Sequence, residues 1–463
     1  MGTVIRGGTV ITASDIQRAD VLIEGEVVVA VAKHVPAADH KLIDATGCYV
    51  IPGGIDPHTH LDMPFGGTVT ADDWRTGTTA AAYGGTTSIV DFALHTKGDT
   101  LASAIMEWHG KADDKAVIDY SFHVMVGDMN EQVMNEIPHI VEDEGVASFK
   151  VFMAYKNNLQ VDDETLFRTL RLASDSGALV QVHAENGDVI DVLVKEALAQ
   201  GHVEPKYHAL TRPPEAEGEA TARAIRLAEI ARAPLYVVHV TCAEAAEAIS
   251  DARRRGLPVF GETCPQYLVC DYTDYERPGF EAAKYVMSPP LRDKSNQTVL
   301  WNKLRSGELS AFGSDQCSFN LKGQKELGLR DFSKIPNGSP TIEHRMMLLY
   351  HHGVNEGRIS LNRFVALTST NNAKLFGLFP RKGTVAVGSD ADIVIWDPNQ
   401  ELTISAETHH MNVDNNIFEG MKVNGVPRTV LLRGEVIVDK GEFYGTPGSG
   451  KFLRAGKIGR NAL

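Results

Sequence analysis

Short apolar runs, each followed by a helix-like segment, recur eight times through the middle of the chain. The stretches between them are rich in Ala, Glu and Lys, as in TLASAIMEWHGKADDK and TARAIRLAEIARA, and have the composition of surface helices. Strand and helix alternating over roughly 260 residues is typical of a (β/α)8 barrel, with parallel strands inside and helices outside. The predicted strands are residues 54–61, 87–93, 120–126, 147–153, 178–184, 235–240, 258–264 and 309–315.

The two ends of the chain look alike. Residues 4–12 read VIRGGTVIT and residues 430–438 read VLLRGEVIV, so each has two β-rich runs joined by an Arg-Gly turn. Similar β-rich segments cover residues 20–33 and 391–398. We therefore predict an α/β chain, a TIM-like barrel with a smaller β-sandwich domain built from both termini. The predicted bounds are 1–51 and 380–445 for the sandwich, 52–379 for the barrel with helical segments near 341–377, and 446–463 for a C-terminal tail.

Composition argues against several partners and locations. A net charge of -15 offers no basic face for nucleic acid. No apolar stretch approaches the roughly 18 residues of a membrane span, and MGTVIRGGTV lacks the apolar region of a signal peptide. Five scattered cysteines without a CxxC motif indicate free thiols in a reduced, cytoplasmic protein.

Side chains that can bind metal follow the predicted strands. In a barrel of this kind, functional groups lie at the C-terminal ends of the strands. His58 and His60, in PGGIDPHTHLDMPFGG, end the first strand, and alternate residues of a strand point to the same side. Both imidazoles can therefore face the barrel mouth. Later strands add one residue each: Lys150, His183, His239 and Asp315.

Each of these residues, taken alone, has a more ordinary interpretation. The chain has 17 histidines, and a single His on an apolar run is more often a hydrogen-bonded core residue. The convergence of four imidazoles and a carboxylate at the same end of one barrel favours a metal site instead. Neutral imidazoles and a carboxylate suit zinc or a similar divalent ion.

Lys150 is the unusual member of the set. A lysine inside a barrel, close to metal cations, should lose its proton. The neutral amine can then react with carbon dioxide to form a carbamate, which offers two oxygens and can bridge two metals. The alternative is a surface lysine at a wrongly assigned strand end. Because Phe149 and Phe152 flank it in ASFKVFMAYK, we expect Lys150 to be buried.

The whole pattern resembles the hydantoinase and dihydropyrimidinase family of the binuclear-metal amidohydrolase superfamily. The resemblance rests on the HxH of strand one, the Lys of strand four, the His of strands five and six and the Asp of strand eight. Longer phrases carry it further and cover nearly the whole chain: GGIDPHTHLDMPFGGT, SFKVFMAYKN, VHAENGDVI, VVHVTC, GETCPQYL, SPPLR and GSDQCSF.

The resemblance implies two divalent ions per subunit, with zinc expected and manganese or cobalt as alternatives. A hydroxide would bridge the two ions and attack the carbonyl of a small, neutral cyclic ureide or imide. The implied ligands are His58, His60 and Asp315 for one ion, His183 and His239 for the other, and carbamylated Lys150 between them.

The resemblance also implies roles in catalysis and substrate binding. Asp315 would take the hydroxide proton and pass it to the leaving nitrogen. Tyr155 would donate its hydroxyl to the tetrahedral oxyanion. Ser288 and Asn337 would hold the imide of the ring through backbone groups. Without the family, both would be ordinary loop residues, and Asn337 a turn former before Gly338.

An apolar set near the barrel mouth suggests a substituent pocket. Met63, Phe65, Phe152 and Leu159 lie on two predicted loops. Their ordinary role would be to anchor those loops. The resemblance implies instead a pocket for the substituent of a 5-substituted hydantoin, and D-selective bacterial hydantoinases, which give N-carbamoyl amino acids, match best.

Three relatives remain as alternatives. Dihydroorotase and allantoinase share the metal ligands, but dihydroorotase follows the HxH with an arginine for the substrate carboxylate. Here Leu61, Asp62 and Met63 follow, and we expect Asp62 to disfavour an anionic substrate. Non-catalytic scaffold homologues lose metal ligands, whereas all six positions are filled here.

The C-terminal segment KFLRAGKIGRNAL is basic. Such a terminus could be disordered. The resemblance implies instead an arm that contacts a neighbouring subunit of a homotetramer.

Overall fold

Eight parallel strands form the predicted barrel, and each pairs with its neighbours in chain order. The computed structural model describes residues 2–36, 38–458 and 463. Every predicted strand is present, so the (β/α)8 prediction is confirmed. The strands are Gly54–Thr59, Thr86–Ala93, Asp119–Met125, Ser148–Phe152, Leu179–His183, Leu235–Val237, Val259–Thr263 and Ala311–Phe312.

Residues just beyond the eighth strand complete the ring. The main chain of Gln316 accepts the N–H of His60 at 2.8 Å and donates to the carbonyl of His58 at 3.3 Å. The Gln316 side chain donates to Asp72 at 2.8 Å, which ties this segment to the first helix. The closure therefore fixes the segment that carries Asp315 against the first strand.

The helices begin and end where the sequence supplies caps. In Asp163–Ser176, for example, Asp162 accepts the N–H of Thr165 at 2.8 Å, and Gly177 ends the helix in the left-handed region at φ 80°. The face that packs on the barrel carries Leu166 and Leu170.

Most of the helices surround the barrel, and those of 345–375 confirm the helical segments predicted near 341–377. The α-helices of the described chain are Trp74–Tyr83, Leu101–Ala112, Glu131–His139, Asp163–Ser176, Gly187–Ala199, Lys206–Leu210, Pro214–Ala231, Ala243–Arg254, Pro265–Val269, Ser295–Ser306, Arg345–Leu349, Leu361–Val365 and Asn371–Leu375. Shorter 3₁₀ or π-helical turns cover Ile140–Glu144, Tyr272–Glu276, Glu281–Tyr285, Lys325–Gly328, Phe332–Lys334, Tyr350–Asn355 and Ala366–Thr370.

Strands from both ends of the chain form two further sheets, as the paired end motifs predict. One buried cluster joins their faces, with Ile5 and Val21 from one sheet and Val50 and Ile393 from the other, which gives the sandwich its core. The exact domain bounds stay a prediction. In sheet order, the strands are Val27–Ala32, Asp20–Glu24, Thr3–Arg6 and Lys41–Asp44 in the first sheet. In the second they are Glu442–Phe443, Glu435–Asp439, Lys422–Leu432, Ile393–Thr403, Tyr49–Pro52, Thr9–Ile11 and Ile16–Arg18. A separate hairpin joins Pro64–Phe65 to Thr68–Val69.

A buried ion cluster joins the sandwich to the barrel. The Nζ of Lys382 lies 2.6 Å from Asp119, 2.6 Å from Asp392 and 3.0 Å from Asp390. Arg433 pairs with the second oxygen of Asp119. Because Asp119 begins the third barrel strand and Asp392 and Arg433 flank sandwich strands, the cluster links the two parts of the fold.

The C-terminal tail packs on its own barrel. Leu453 donates to the carbonyl of Tyr120 at 2.6 Å, and Ile458 donates to Gly177 at 2.7 Å. The disordered alternative is therefore wrong for residues 451–458. Residues 459–462 lie outside the described part, and a contact with a neighbouring subunit stays a prediction.

Among the described residues, no helix combines the length and the apolar composition that crossing a membrane requires.

We expect Lys382→Met to lower the free energy of unfolding by about 3–5 kcal/mol, because it leaves buried carboxylates without their shared cation. Urea denaturation followed by circular dichroism measures the change. Lys195, exposed and paired with Asp191 at 2.7 Å, supplies the matched control. We expect Lys195→Met to cost less than about 1 kcal/mol, and equal losses in the two variants would contradict the role of the cluster.

Candidate active site

A cavity of about 410 Å³ lies at the C-terminal ends of the barrel strands. Its lining contains every site residue that the sequence predicts, drawn from segments far apart in the chain. They are His58, His60, Met63, Phe65, Lys150, Phe152, Tyr155, Leu159, His183, His239, Ser288, Asp315 and Asn337.

The first group of predicted ligands is His58, His60 and Asp315. The Nε2 atom of His58 lies 3.1 Å from Oδ1 of Asp315, and Nε2 of His60 lies 3.5 Å from the same oxygen. Burial would raise the pKa of Asp315, but His58 and His60 outweigh it and lower this pKa to about 2. The carboxylate is therefore ionised at neutral pH.

The second group lies on the next part of the ring. Nδ1 of His183 and Nε2 of His239 are 2.9 Å apart, and both residues are buried. Burial and the neighbouring His183 lower the pKa of His239 well below its usual value. The His239 ring therefore stays neutral at neutral pH, the form that binds metal.

Lys150 lies on the fourth barrel strand, beside the strand of His183, and is buried, as expected, with 1% of its surface exposed. Its Nζ lies 4.8 Å from the ring centre of Phe92 and 5.0 Å from that of Phe152. Burial lowers the pKa of Lys150 to about 7. A large fraction of the amine is therefore uncharged at neutral pH.

These residues fit divalent metal ions. His60 Nδ1, Lys150 Nζ and His239 Nδ1 are buried and have no hydrogen-bond partner within the described chain. Such unpartnered groups are rare because their burial is costly. Burial lowers the pKa of His60 to about 4, so this imidazole is also neutral. Neutral imidazoles, a carboxylate and an uncharged amine form a donor set that a cation would complete.

Two carboxylates that sequence reasoning missed orient the histidines. Oε1 of Glu262 lies 2.7 Å from Nδ1 of His58, and its second oxygen accepts the hydroxyl of Tyr236. Oε2 of Glu185 lies 2.8 Å from Nε2 of His183. A carboxylate on a histidine ring fixes its tautomer and orientation. In the sequence, Glu262 stands out as an acidic residue inside the apolar seventh strand. Glu185 stands out because it follows the strand-end His183 by two residues.

Three non-glycine residues of the cavity have left-handed backbones. The φ angles are 64° at Tyr155, 40° at His239 and 54° at Asp315. This region costs a non-glycine residue about 1–2 kcal/mol. Such conformations cluster at functional sites, where the surrounding structure holds them in place.

The cavity has a polar wall made of Tyr155, Ser288 and Asn337. Nδ2 of Asn337 donates to Oγ of Ser288 at 3.1 Å. Burial raises the pKa of Tyr155, although the neighbouring Ser288 and Asn337 oppose the shift. The phenol therefore keeps its proton and remains a donor.

A second wall is apolar and includes the four predicted pocket residues. The hairpin of 64–69 carries Phe65, whose ring stands edge-on to Tyr155 with centres 5.5 Å apart. Leu94 and Met125 also line this wall and were missed. Both could have been found from their position in the sequence, because they lie at the C-terminal ends of barrel strands.

Asp62 does not have its expected place. It is not among the residues that line the cavity, although Met63 beside it is. The chain turns at Asp62, with φ 51°, immediately after the first strand. The argument against an anionic substrate therefore rests on the lining itself, which within the described chain contains no arginine.

Comparison with known proteins agrees with this geometry. Residues 49–437 match the amidohydrolase family. The chain is 60% identical to a D-hydantoinase of Geobacillus stearothermophilus, over 99% of this chain and 98% of that protein. It is 47% identical to a dihydropyrimidinase of Rattus norvegicus, over 97% of this chain and 88% of that protein. A crystal structure of dihydropyrimidinase from Brevibacillus agri NCHU1002 has a TM-score of 0.98 at 62% identity and covers 99% of this chain and 100% of its own. The chain therefore belongs to the amidohydrolase family, and within it to the hydantoinases and dihydropyrimidinases, as its motifs predicted.

Proposed function

We propose that this hydrolase opens the rings of hydantoins and dihydropyrimidines at a cyclic amide C–N bond. We further propose a preference for hydantoins with a D-configured substituent at carbon 5, which yield N-carbamoyl amino acids. The relatives named D-hydantoinase and dihydropyrimidinase support these ring classes. The observation that carries the proposal is one cavity in which six ligand-type side chains face a polar and an apolar wall.

The ligand-type side chains would hold two divalent ions. Zinc suits the set, and manganese or cobalt can bind the same donors. Bound ions supply Lewis acidity, which polarises a carbonyl and lowers the pKa of water. The proposed ligands are His58, His60 and Asp315 for one ion, His183 and His239 for the other, and Lys150 for both.

Lys150 would serve as a ligand after carboxylation. Its uncharged amine adds to the carbon of carbon dioxide, forming an N–C bond and losing one N–H proton to solvent. The product is a carbamate, whose two oxygens can contact two cations. The low pKa and the unpartnered Nζ support this role.

Asp315 would move the proton of the reaction. Its Oδ1 faces His58 and His60, which leaves Oδ2 for the attacking water. The carboxylate is ionised at neutral pH because both histidines outweigh the effect of burial on its pKa. It can therefore accept a proton and then deliver it to the ring nitrogen that leaves.

The polar wall would hold the ring. The backbone N–H groups of Ser288 and Asn337 have no protein acceptor among the described residues, and the carbonyl of Ser288 has no protein donor. These groups can therefore pair with the carbonyl oxygen and N–H of an imide. The hydroxyl of Tyr155 would stabilise negative charge on the reacting carbonyl oxygen.

The apolar wall would take the ring substituent. Met63, Phe65, Phe152 and Leu159 offer no charge to a substituent, so an alkyl or aryl group gains by burial there. When the polar wall holds the ring, the two enantiomers at carbon 5 direct their substituent differently relative to the apolar wall. This difference supports selection by handedness.

Other substrates and roles remain as alternatives. Dihydroorotate and allantoin would need donors or cations that the lining supplies less well. A scaffold protein without metal would leave the buried nitrogens unpartnered.

We also propose a homotetramer in the cytoplasm. All five cysteines are free and buried, which suits a reducing compartment. Val189 and Val192 are exposed on one helix and could be covered by another subunit.

The main test pairs metal content with substrate range. We expect about two ions per subunit, fast opening of hydantoin and dihydrouracil, and faster turnover of the D than the L enantiomer of 5-phenylhydantoin. Activity only on dihydroorotate or allantoin would reject the neutral-ring assignment. Absence of both metal and turnover would favour a scaffold.

We expect Lys150→Ala to lose metal and activity, because the shared ligand is removed. Acetate or propionate should restore part of both by placing a carboxylate in the vacated space. Metal analysis and initial rates provide the readouts, with Lys195→Ala as a surface control. Full activity of Lys150→Ala without added acid would disprove the carbamate role.

We expect Tyr155→Phe to lower kcat by about 10²–10³, the usual effect of losing one oxyanion donor. Metal content should not change, since the phenol is not a proposed ligand. Tyr444→Phe, which alters an exposed hydroxyl bonded to Glu442, is the matched control. A rise in KM alone would assign Tyr155 to ground-state binding instead.

A further inference from the structure

The two loops of the polar wall meet over a buried lysine that lies outside the cavity lining. The Nζ of Lys325 donates to the carbonyl of Val286 at 2.9 Å and to that of Pro336 at 3.1 Å. Val286 precedes Ser288 by two residues, and Pro336 directly precedes Asn337. The Val286 carbonyl also accepts the N–H of Gly338 at 3.0 Å, so the loops are linked at this point.

Joining the two loops through Lys325 costs free energy, because the amine is buried. Its exposed fraction is 0%, and none of the ion pairs in the described chain includes it. Burial lowers its pKa to about 7, which reflects the cost of placing its charge there. As at Lys150, a large fraction of the amine is therefore uncharged at neutral pH, but both forms carry N–H donors for the two carbonyls.

The contact with Pro336 bears directly on the cavity. The carbonyl of Pro336 and the N–H of Asn337 belong to one planar peptide unit. A hydrogen bond to the oxygen of a peptide polarises the unit and makes its N–H a stronger donor. The N–H of Asn337 has no protein acceptor among the described residues and lies on the cavity wall.

We propose that Lys325 is a positioning residue for the substrate ring: it fixes the loops of Ser288 and Asn337 and strengthens the Asn337 N–H as a donor to a ring carbonyl. The inference rests on the proposed function, since it assumes that the ring binds this wall. Lys325 itself does not touch the substrate. Its effect should therefore be on binding, equally in the ground and transition states.

The test uses the metal-loaded protein and two unsubstituted rings, hydantoin and dihydrouracil, which depend most on contacts with the ring. We expect Lys325→Met to raise KM roughly tenfold for both, because the Asn337 N–H loses its polarising contact and the two loops are no longer tied together. The kcat should stay within about twofold and the metal content unchanged. A variant with unchanged KM, whatever its melting temperature, would overturn the proposal.

Two further variants keep the test decisive. Lys325→Arg retains N–H donors at the end of a long side chain, so we expect a KM within about threefold of the native value. If Lys325→Met does not fold, Lys325→Gln replaces it, with an expected KM rise of roughly threefold because its shorter side chain reaches the two carbonyls less well. An unchanged KM in Lys325→Gln would overturn the proposal.

A structural control separates stability from positioning. Lys382→Met also removes a buried lysine, but at the junction of barrel and sandwich. We expect it to lower the melting temperature and leave KM unchanged; an equal KM rise in both variants would overturn the specific role of Lys325. The native protein is assayed first. If it opens no ring, the proposed function has failed. If its rates are normal and Lys325→Met has an unchanged KM, this inference alone has failed.

Discussion

Burial of basic nitrogens without partners is the constraint on which the rest of the site depends. Lys150, His60 and His239 are buried at the barrel mouth, so their charged forms are disfavoured and their pKa values fall. Neutral nitrogens are what metal binding and carboxylation both require. In a protein without a bound cation, the same burial would only be unfavourable in free energy. A bound cation therefore explains both the set of donor groups and their burial.

Contacts with the surrounding scaffold hold the site residues in place. Glu262 and His58 are 204 residues apart in the chain but 2.7 Å apart in space. Gln316 closes the barrel and holds the left-handed turn at Asp315 beside the first strand. Because these contacts are buried, the strained and neutral groups have few alternative arrangements, and the site is ordered before any substrate arrives.

The fold and the meeting of the ligand-type side chains in one cavity could be predicted because they follow local rules. Alternation of strand and helix indicates the barrel, and the strand-end position of His58 and His60 indicates where they face. Residues whose role depends on long-range contacts could not be predicted: Glu262 and Lys325 look like any acidic or basic residue until distant segments meet. The expectation for Asp62 was wrong because it relied on the position of this residue just after the HxH, and the chain turns at that point.

The two walls differ in how freely they can change. Phe65 and Leu159 lie on a hairpin and a loop, so substitutions there can reshape the pocket without moving a strand. Phe152 is different. It lies two residues after Lys150 on the same strand, and its ring stacks on His183 with centres 5.3 Å apart. A change at Phe152 therefore alters the packing of two proposed metal ligands together with the proposed substituent pocket, so we expect specificity and metal binding to be coupled at this one position.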